Sequence, residues 1–316
     1  MRKRALALIF IFLLTGCAAR ADDTPHRRTV FAMDTVMNLT AYGANGEAAL
    51  SAAEQELYRL DALLARGAEG SAVYALNHGT ATPDPELSAL LDEAGKIADA
   101  TGGAFDPHLG EVLDLWGFGS GAGEHRVPTA AELSEAKPLL DLGGIAKGYA
   151  GQRVRAELME NGVKSAVIDL GGDVALLGSK PDGSDWRVAI KDPEDEGVYL
   201  GILETGGDRF IMTSGVYERY FEENGVRYHH IIDPATGYPA DSGVVSATVV
   251  CSDGVWADAL ATACCVVGAD AALGMRERLA ETMAFDVILV TDDARVLYTC
   301  AGFAPQTNGY TYEQVA

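Results

Sequence analysis

The sequence predicts an α+β fold of antiparallel sheets with packed helices, and three observations carry that expectation. In the first half, apolar residues recur at three- and four-residue spacing, as on amphipathic helices. From residue 165 the pattern changes to short β-branched runs separated by Gly, Pro and Asp, which read as neighbouring strands. A doubly wound parallel sheet needs strands and helices to alternate, and here they are largely segregated. The chain has 316 residues, 48% of them hydrophobic, enough to bury a large core.

The elements follow in order. Residues 28–42 read as extended structure. Leu50, Ala53, Leu57, Leu60 and Leu64 then mark one face of a helix with Asn45 at its N-cap and Gly67 beyond its end. A second helix starts near residues 82–85, places Leu87, Leu90, Leu91, Ala94, Ile97 and Ala98 on one side, and stops at Gly102-Gly103. Thr129-x-x-Glu132 is a capping box for a third, short helix. A fourth covers about 145–161, with Gly162 past its end. Strands are expected in SAVIDL, VALLG, WRVAI, YLGILE, RFIMTS, YHHIID and VVSATVVC, and one more helix at 254–267. DVILVTD and RVLYT close the pattern as a hairpin across residues 292–294.

The first residues read as targeting rather than fold. Arg2, Lys3 and Arg4 precede an apolar run from Ala5 to Leu14, too short for a spanning helix but suited to a secretory signal. The run ends Leu14-Thr15-Gly16-Cys17, similar to the lipobox of bacterial lipoproteins, in which Cys17 would be lipidated. The expected organisation is therefore a signal peptide over 1–16, a lipidated tether over 17–27, a catalytic body over 28–303 and a tail over 304–316. With 24 Lys and Arg against 46 Asp and Glu, the formal charge is −22. Such a field repels phosphate backbones, so no nucleic-acid partner is expected. A phosphate-bearing ligand would need a metal or backbone donors to offset it.

Four polar or glycine-rich clusters exceed what a plain core requires: GGAFDP (102–107), DLGGIAKGY (141–149), GGD (171–173) and HHIIDP followed by Thr236-Gly237 (229–237). Paired glycines at a helix start let backbone N–H groups approach an anion. On spacing alone, 141–149 reads equally as a phosphate cradle or as a tight loop packed against the sheet. Asp258 and Thr262 stand four apart on the 254–267 helix, so their oxygens share one face and suit a hard cation such as Mg2+. The plainer alternative is Thr262 bonding back to the Asp258 carbonyl. His229 and His230, adjacent in a predicted strand, point to opposite faces. Cys264 and Cys265 lie mid-helix beside valines and read as small buried hydrophobes, like Cys251 and Cys300.

Taken together, these blocks resemble the ApbE family of FAD:protein FMN transferases, from about Phe31 to Phe303. The resemblance rests on Met33-Asp34-Thr35, GGAFDPHLGEVLDLWGFG (102–119), DLGGIAKGYA (141–150), LGGD (170–173), TSGVYERYFEENGVRYHHIIDPATGYP (213–239) and ADALATA (257–263), in the family's order. It implies an ApbE-like fold and FAD contacts from Met33, Ala104, Phe105, Asp106, Asp141, Lys147 and Ile232, with Met33 at the adenine end. It also implies Mg2+ held by Asp258, Thr262 and the carbonyl of Gly144, and His230 as the base. The activity implied is transfer of FMN from FAD to a Thr or Ser hydroxyl of an acceptor flavoprotein, with release of AMP. Acceptors of the family are electron-transfer subunits of respiratory sodium pumps or extracellular flavin reductases. An FAD pyrophosphatase and a non-catalytic flavin-binding lipoprotein are the alternatives. The chain departs from the family pattern at His108, where a Thr is usual, at Glu111, near which a Pro is missing, and over 64–77, which lacks the usual Ser and aromatic residue.

Overall fold

The computed structural model describes residues 23–119, 123–195, 197–306 and 309–315. The expected signal peptide, Cys17 and the tether up to residue 22 lie outside the described residues. In chain order the elements are β1 (Pro25–Ala32), β2 (Thr35–Tyr42), α1 (Gly46–Leu64), α2 (Ala72–Asn77), α3 (Pro85–Ala100), α4 (Gly110–Trp116), α5 (Ala130–Glu135), α6 (Ala146–Glu160), β3 (Ala166–Asp169) and β4 (Val174–Leu177). They continue with β5 (Trp186–Lys191), β6 (Tyr199–Thr205), β7 (Phe210–Gly215), β8 (Tyr220–Glu223), β9 (Val226–His229), β10 (Val244–Cys251), α7 (Gly254–Val267), α8 (Ala269–Leu279), β11 (Phe285–Thr291), β12 (Arg295–Tyr298), β13 (Phe303–Pro305) and β14 (Thr311–Gln314). No helix among the described residues is long and apolar enough to cross a membrane.

A nine-stranded sheet in the order β1-β2-β3-β4-β7-β10-β11-β12-β14 forms the centre. Its pairs are antiparallel except β12 with β14. Alternate side chains on each strand face opposite sides, and the central strands bury both. Phe210, Met212, Val249, Val287 and Leu289 pack beneath the helices in one core. Ile211, Val250, Ile288 and Val290 face a second core made with Trp186, Leu200, Leu203 and Phe303 of the small sheet β13-β6-β5. A third, smaller cluster joins α4 and α5 to the hairpin β8-β9 through Val112, Trp116, Phe118 and Ile232.

The expected helices all form, with differences at their ends. Asp84 caps α3 by accepting from the Leu87 N–H at 2.8 Å, and the Thr129/Glu132 capping box is complete. Asn45 occupies the N-cap position of α1 but makes no capping bond; its Nδ2 donates instead to the Asn161 carbonyl at 3.0 Å, tying α1 to the end of α6. Three helices were not expected, α2, α4 and α8, and the first two are too short to show a helical period. Two boundaries shift as well. β1 begins at Pro25, so residues 25–27 belong to the sheet rather than the tether, and the expected tail contains most of β13 and all of β14.

What places the functional elements is the crossing of α6 and α7. Gly148 of α6 and Gly254 of α7 meet backbone to backbone: a Cβ on Gly148 would stand 2.0 Å from the Gly254 carbonyl oxygen, and one on Gly254 would stand 2.3 Å from the Gly148 oxygen. No side chain fits there without moving a helix. Gly148→Ala is therefore expected to destabilise the fold by about 2 kcal/mol through overpacking, read as a lower urea midpoint with an unchanged slope. A midpoint equal to that of the wild type would show that the crossing is loose.

Candidate active site

The end of the sheet bounded by α6 and α7 opens into a cavity of about 500 Å³. All the site residues expected from the sequence line it: His230, Met33, Ala104, Phe105, Asp106, Asp141, Lys147, Ile232, Gly144, Asp258 and Thr262. They come from five separate stretches of chain. Met33 and Asp34 form the two-residue turn of the β1-β2 hairpin, whose closing pair is Ala32 with Thr35. Both have positive φ, 51° and 58°, as the tightest hairpin turns require, although neither is glycine. Strain of this kind persists where surrounding structure holds it, and here it sets Met33 against the core at the cavity edge.

The turn before α6 is fixed by its own side chains and by Arg66. Asp141 Oδ1 accepts the Gly143 N–H at 2.8 Å, and Oδ2 takes Arg66 Nε at 2.8 Å. The same guanidinium forks onto both oxygens of Asp114 of α4, at 2.8 and 2.6 Å. One buried arginine thus locks the end of α1, α4 and the glycine turn together. Gly144 lies against Phe105, whose ring would be 3.2 Å from a Cβ at that position, with Thr262 Oγ1 at 3.8 Å. Both readings of the turn from spacing hold in part: it is packed, and it also lines the cavity.

Charge is concentrated where α6 starts. Lys147, in the first turn, pairs with Asp173 Oδ2, and Asp173 Oδ1 accepts the Thr213 N–H at 2.7 Å. Burial alone would lower the Lys147 pKa, but the Asp173 and Asp258 carboxylates outweigh it and hold the ammonium above the ordinary lysine value. Asp258 is buried on α7, and its Oδ2 accepts the Gly148 N–H at 2.8 Å across the helix crossing. Its other oxygen has no hydrogen-bond partner among the described residues. Burial, then the neighbouring Asp173 carboxylate, push its pKa well above the usual carboxylate range, against the pull of Lys147. A carboxylate held this way is short of positive charge.

That deficit tests whether the site suits a cation. Thr262 Oγ1 does not turn back to the Asp258 carbonyl; it lies 3.1 Å from Ser214 Oγ and faces the cavity. Asp258, Thr262 and Gly144 line one cavity and offer it only oxygen donors, one of them an under-neutralised carboxylate, and such a set fits Mg2+. No cluster of three or more His, Cys, Asp or Glu at metal-binding spacing occurs among the described residues, so a purely side-chain metal cage is not what this set resembles.

The histidines separate differently from the sequence expectation. β9 stops at His229, and residues 230–233 leave it as a loop pinned by the bridge Ile232–Pro239. Opposite facing by strand alternation is thus not the reason they diverge: the chain turns. His229 is buried with Nε2 3.0 Å from the Ala240 carbonyl. His230 lines the cavity, its N–H donating to the Arg219 carbonyl at 3.0 Å and its Nδ1 3.2 Å from that oxygen. Enclosure in the cavity wall and the Arg219 cation push its pKa down to about 3.

Other readings resolve plainly. His108 is exposed, sits 3.1 Å from Asp106 Oδ1 and does not line the cavity. Cys251, Cys264, Cys265 and Cys300 are buried free thiols whose pKa values burial raises, to about 11 for Cys251 and about 12 for Cys264 and Cys300. Among the polar cavity residues, Arg66, Ser214, Glu218 and Arg219 carry no expectation of their own from the sequence. The last three stand inside the TSGVYER block, where their place in a matching motif was the available signal. Arg66 lies in the segment that departs from the family pattern, and only its contacts reveal it.

Comparison with known proteins agrees with the geometry. The chain is 32% identical to the FAD:protein FMN transferase of Treponema pallidum, covering 91% of each, and 32% identical to that of Vibrio cholerae O395, covering 96% of this chain and 99% of the relative. Among solved structures, the ApbE protein of Thermotoga maritima superposes with a TM-score of 0.78 at 30% identity, over 85% of this chain and 95% of that one. The flavin transferase ApbE of Vibrio cholerae gives 0.74 at 28% identity, over 90% and 97%. Residues 33–285, which carry all the residues lining the cavity described above, match the model of the ApbE family, and the chain belongs to that family.

Proposed function

We propose that this chain is a Mg2+-dependent FAD:protein FMN transferase. An acceptor Thr or Ser hydroxyl attacks the FMN phosphorus of FAD, a phosphoester to FMN forms, the pyrophosphate bond breaks and AMP leaves. The observation that carries this reading is the meeting, in one cavity, of a neutral histidine, a buried lysine and carboxylate pair, and a carboxylate and hydroxyl pair on one helix face. The names of the curated relatives support the reaction class.

His230 supplies the base. A carbonyl only accepts, so the contact with the Arg219 oxygen puts the ring hydrogen on Nδ1 and leaves the lone pair on Nε2 for the acceptor's hydroxyl proton. The diphosphate's negative charge beside the ring raises its basicity when substrate is bound. Lys147, kept protonated by Asp173, offers a fixed cation to the phosphates. Arg66 and Asp141 hold the glycine turn in place. Asp258, Thr262 and the Gly144 carbonyl would hold Mg2+, which when bound neutralises charge developing on the pyrophosphate oxygens. The leader and Leu14-Thr15-Gly16-Cys17 support an exported, lipid-anchored enzyme that works on the outer side of a membrane.

AMP release distinguishes an enzyme from a flavin binder, and a fluorescent acceptor band on a denaturing gel distinguishes transfer from hydrolysis. Mg2+ is expected to raise the melting temperature of the wild type but not of Asp258→Asn, which should also lose AMP release; near wild-type release by that variant at saturating FAD would remove Asp258 from the metal site. His230→Ala should bind FAD normally by flavin fluorescence yet lose about 10² to 10⁴ fold in flavinylation. Because the ring of the free enzyme stays neutral above about pH 3, kcat/KM for FAD should show no histidine limb between pH 5 and pH 8. Loss of FAD binding in parallel would make His230 a cofactor contact instead. Cys17→Ala should move the protein from the membrane fraction to the soluble one, and unchanged partitioning would refute lipid anchoring.

A further inference from the structure

A second cavity, of about 350 Å³, adjoins the first and is lined by Gly117, Phe118, His125, Glu218, Arg219 and Tyr220. Phe118, Glu218 and Arg219 line both, so the two form one branched cleft. His230 stands at the fork: it lines the main cavity, its backbone and Nδ1 meet the Arg219 carbonyl, and its ring lies 6.3 Å from that of Phe118, edge-on. The floor of the branch is aromatic. His125 stacks on Phe221 at 5.1 Å, and Phe118 packs against both rings. Gly117 makes this possible, since a Cβ there would stand 2.8 Å from the His125 Cα.

The rim is polar and open. Tyr220 is 42% exposed, and Glu218 and Arg219 are exposed beside it. Neither charged side chain has a hydrogen-bond or ion-pair partner within bonding distance among the described residues. A neighbouring carboxylate and guanidinium with hydrogen-bonding capacity to spare match an extended polypeptide, whose backbone offers an N–H donor and a C=O acceptor at each residue. They match a flavin ring poorly, because a ring of that kind is bound in enclosed apolar pockets.

Resting on the transferase reading above, we propose that this branch receives the extended segment of the acceptor protein that carries the target hydroxyl. The hydroxyl reaches Nε2 of His230 at the fork. Its flanking backbone runs over Phe118 between Glu218 and Arg219, and side chains next to the hydroxyl rest on Tyr220 and His125. The open rim is what a substrate attached to a whole folded protein requires.

Tyr220→Ala and His125→Ala, whose residues line the branch and not the main cavity, test this with FAD and the purified flavin-accepting domain of a respiratory sodium-pump subunit. Each variant should raise KM for the acceptor about tenfold while kcat at saturating acceptor and the Kd for FAD stay within about twofold of wild type. A photoreactive benzoylphenylalanine at position 220 should crosslink to that domain, and excess unlabelled domain should compete. Unchanged acceptor KM in both variants, with no crosslink, would overturn the proposal while leaving the transferase reading intact. An FAD Kd that weakens in parallel would assign the branch to the flavin and overturn it too. Absence of FMN transfer by the wild type would instead strike the transferase reading, and the inference with it.

Discussion

The backbone contact between Gly148 and Gly254 is the constraint on which the site depends. Because neither residue has a side chain, α6 and α7 cross closely enough for the Gly148 N–H to reach Asp258 Oδ2 at 2.8 Å. That bond does two things. It satisfies one of the first N–H groups of α6, which otherwise lack a partner in the helix, and it fixes the carboxylate beside the turn that holds Gly144. Any residue larger than glycine at the crossing would separate the helix start from the carboxylate.

The charges follow from the same closeness. Lysine in the first turn of a helix is disfavoured by the helix dipole, yet Lys147 is held there by Asp173, itself anchored to the Thr213 N–H on the neighbouring strand. Asp173 and Asp258 both act on Lys147, so one cation faces two buried carboxylates. The imbalance leaves Asp258 reluctant to ionise alone.

Around this centre the loops are held by long-range bonds rather than by their own sequence. Arg66 spans from the end of α1 to α4 and the glycine turn, and Trp116 Nε1 donates to the Gly237 carbonyl at 2.8 Å, joining α4 to the loop after His230. Residues far apart in the chain are thus set within one cavity by side-chain bonds between distant segments. The positive-φ turn at Met33 and Asp34 belongs to the same arrangement, a local conformation maintained by the sheet and core on either side.

Much of this was legible in the sequence. The spacing of Leu50, Ala53, Leu57, Leu60 and Leu64 gave a helix because burial selects one face in 3.6 residues per turn, and those side chains are buried on α1. The order of the glycine-rich and polar blocks gave the family, and with it every expected cavity residue. Tertiary structure alone decided the rest. The β propensity of Tyr-His-His-Ile-Ile predicts a strand through His230, but the bridge from Ile232 to Pro239 and the bond to Arg219 turn it into the cavity. Asn45 looked like a cap and became a tie to α6. Arg66 had no periodic or motif signal, since its partners lie 48 and 75 residues away. Patterns of burial and local backbone preference are written into neighbouring residues and can be read there. Contacts between distant segments depend on how helices and sheet pack, which no single stretch of sequence contains.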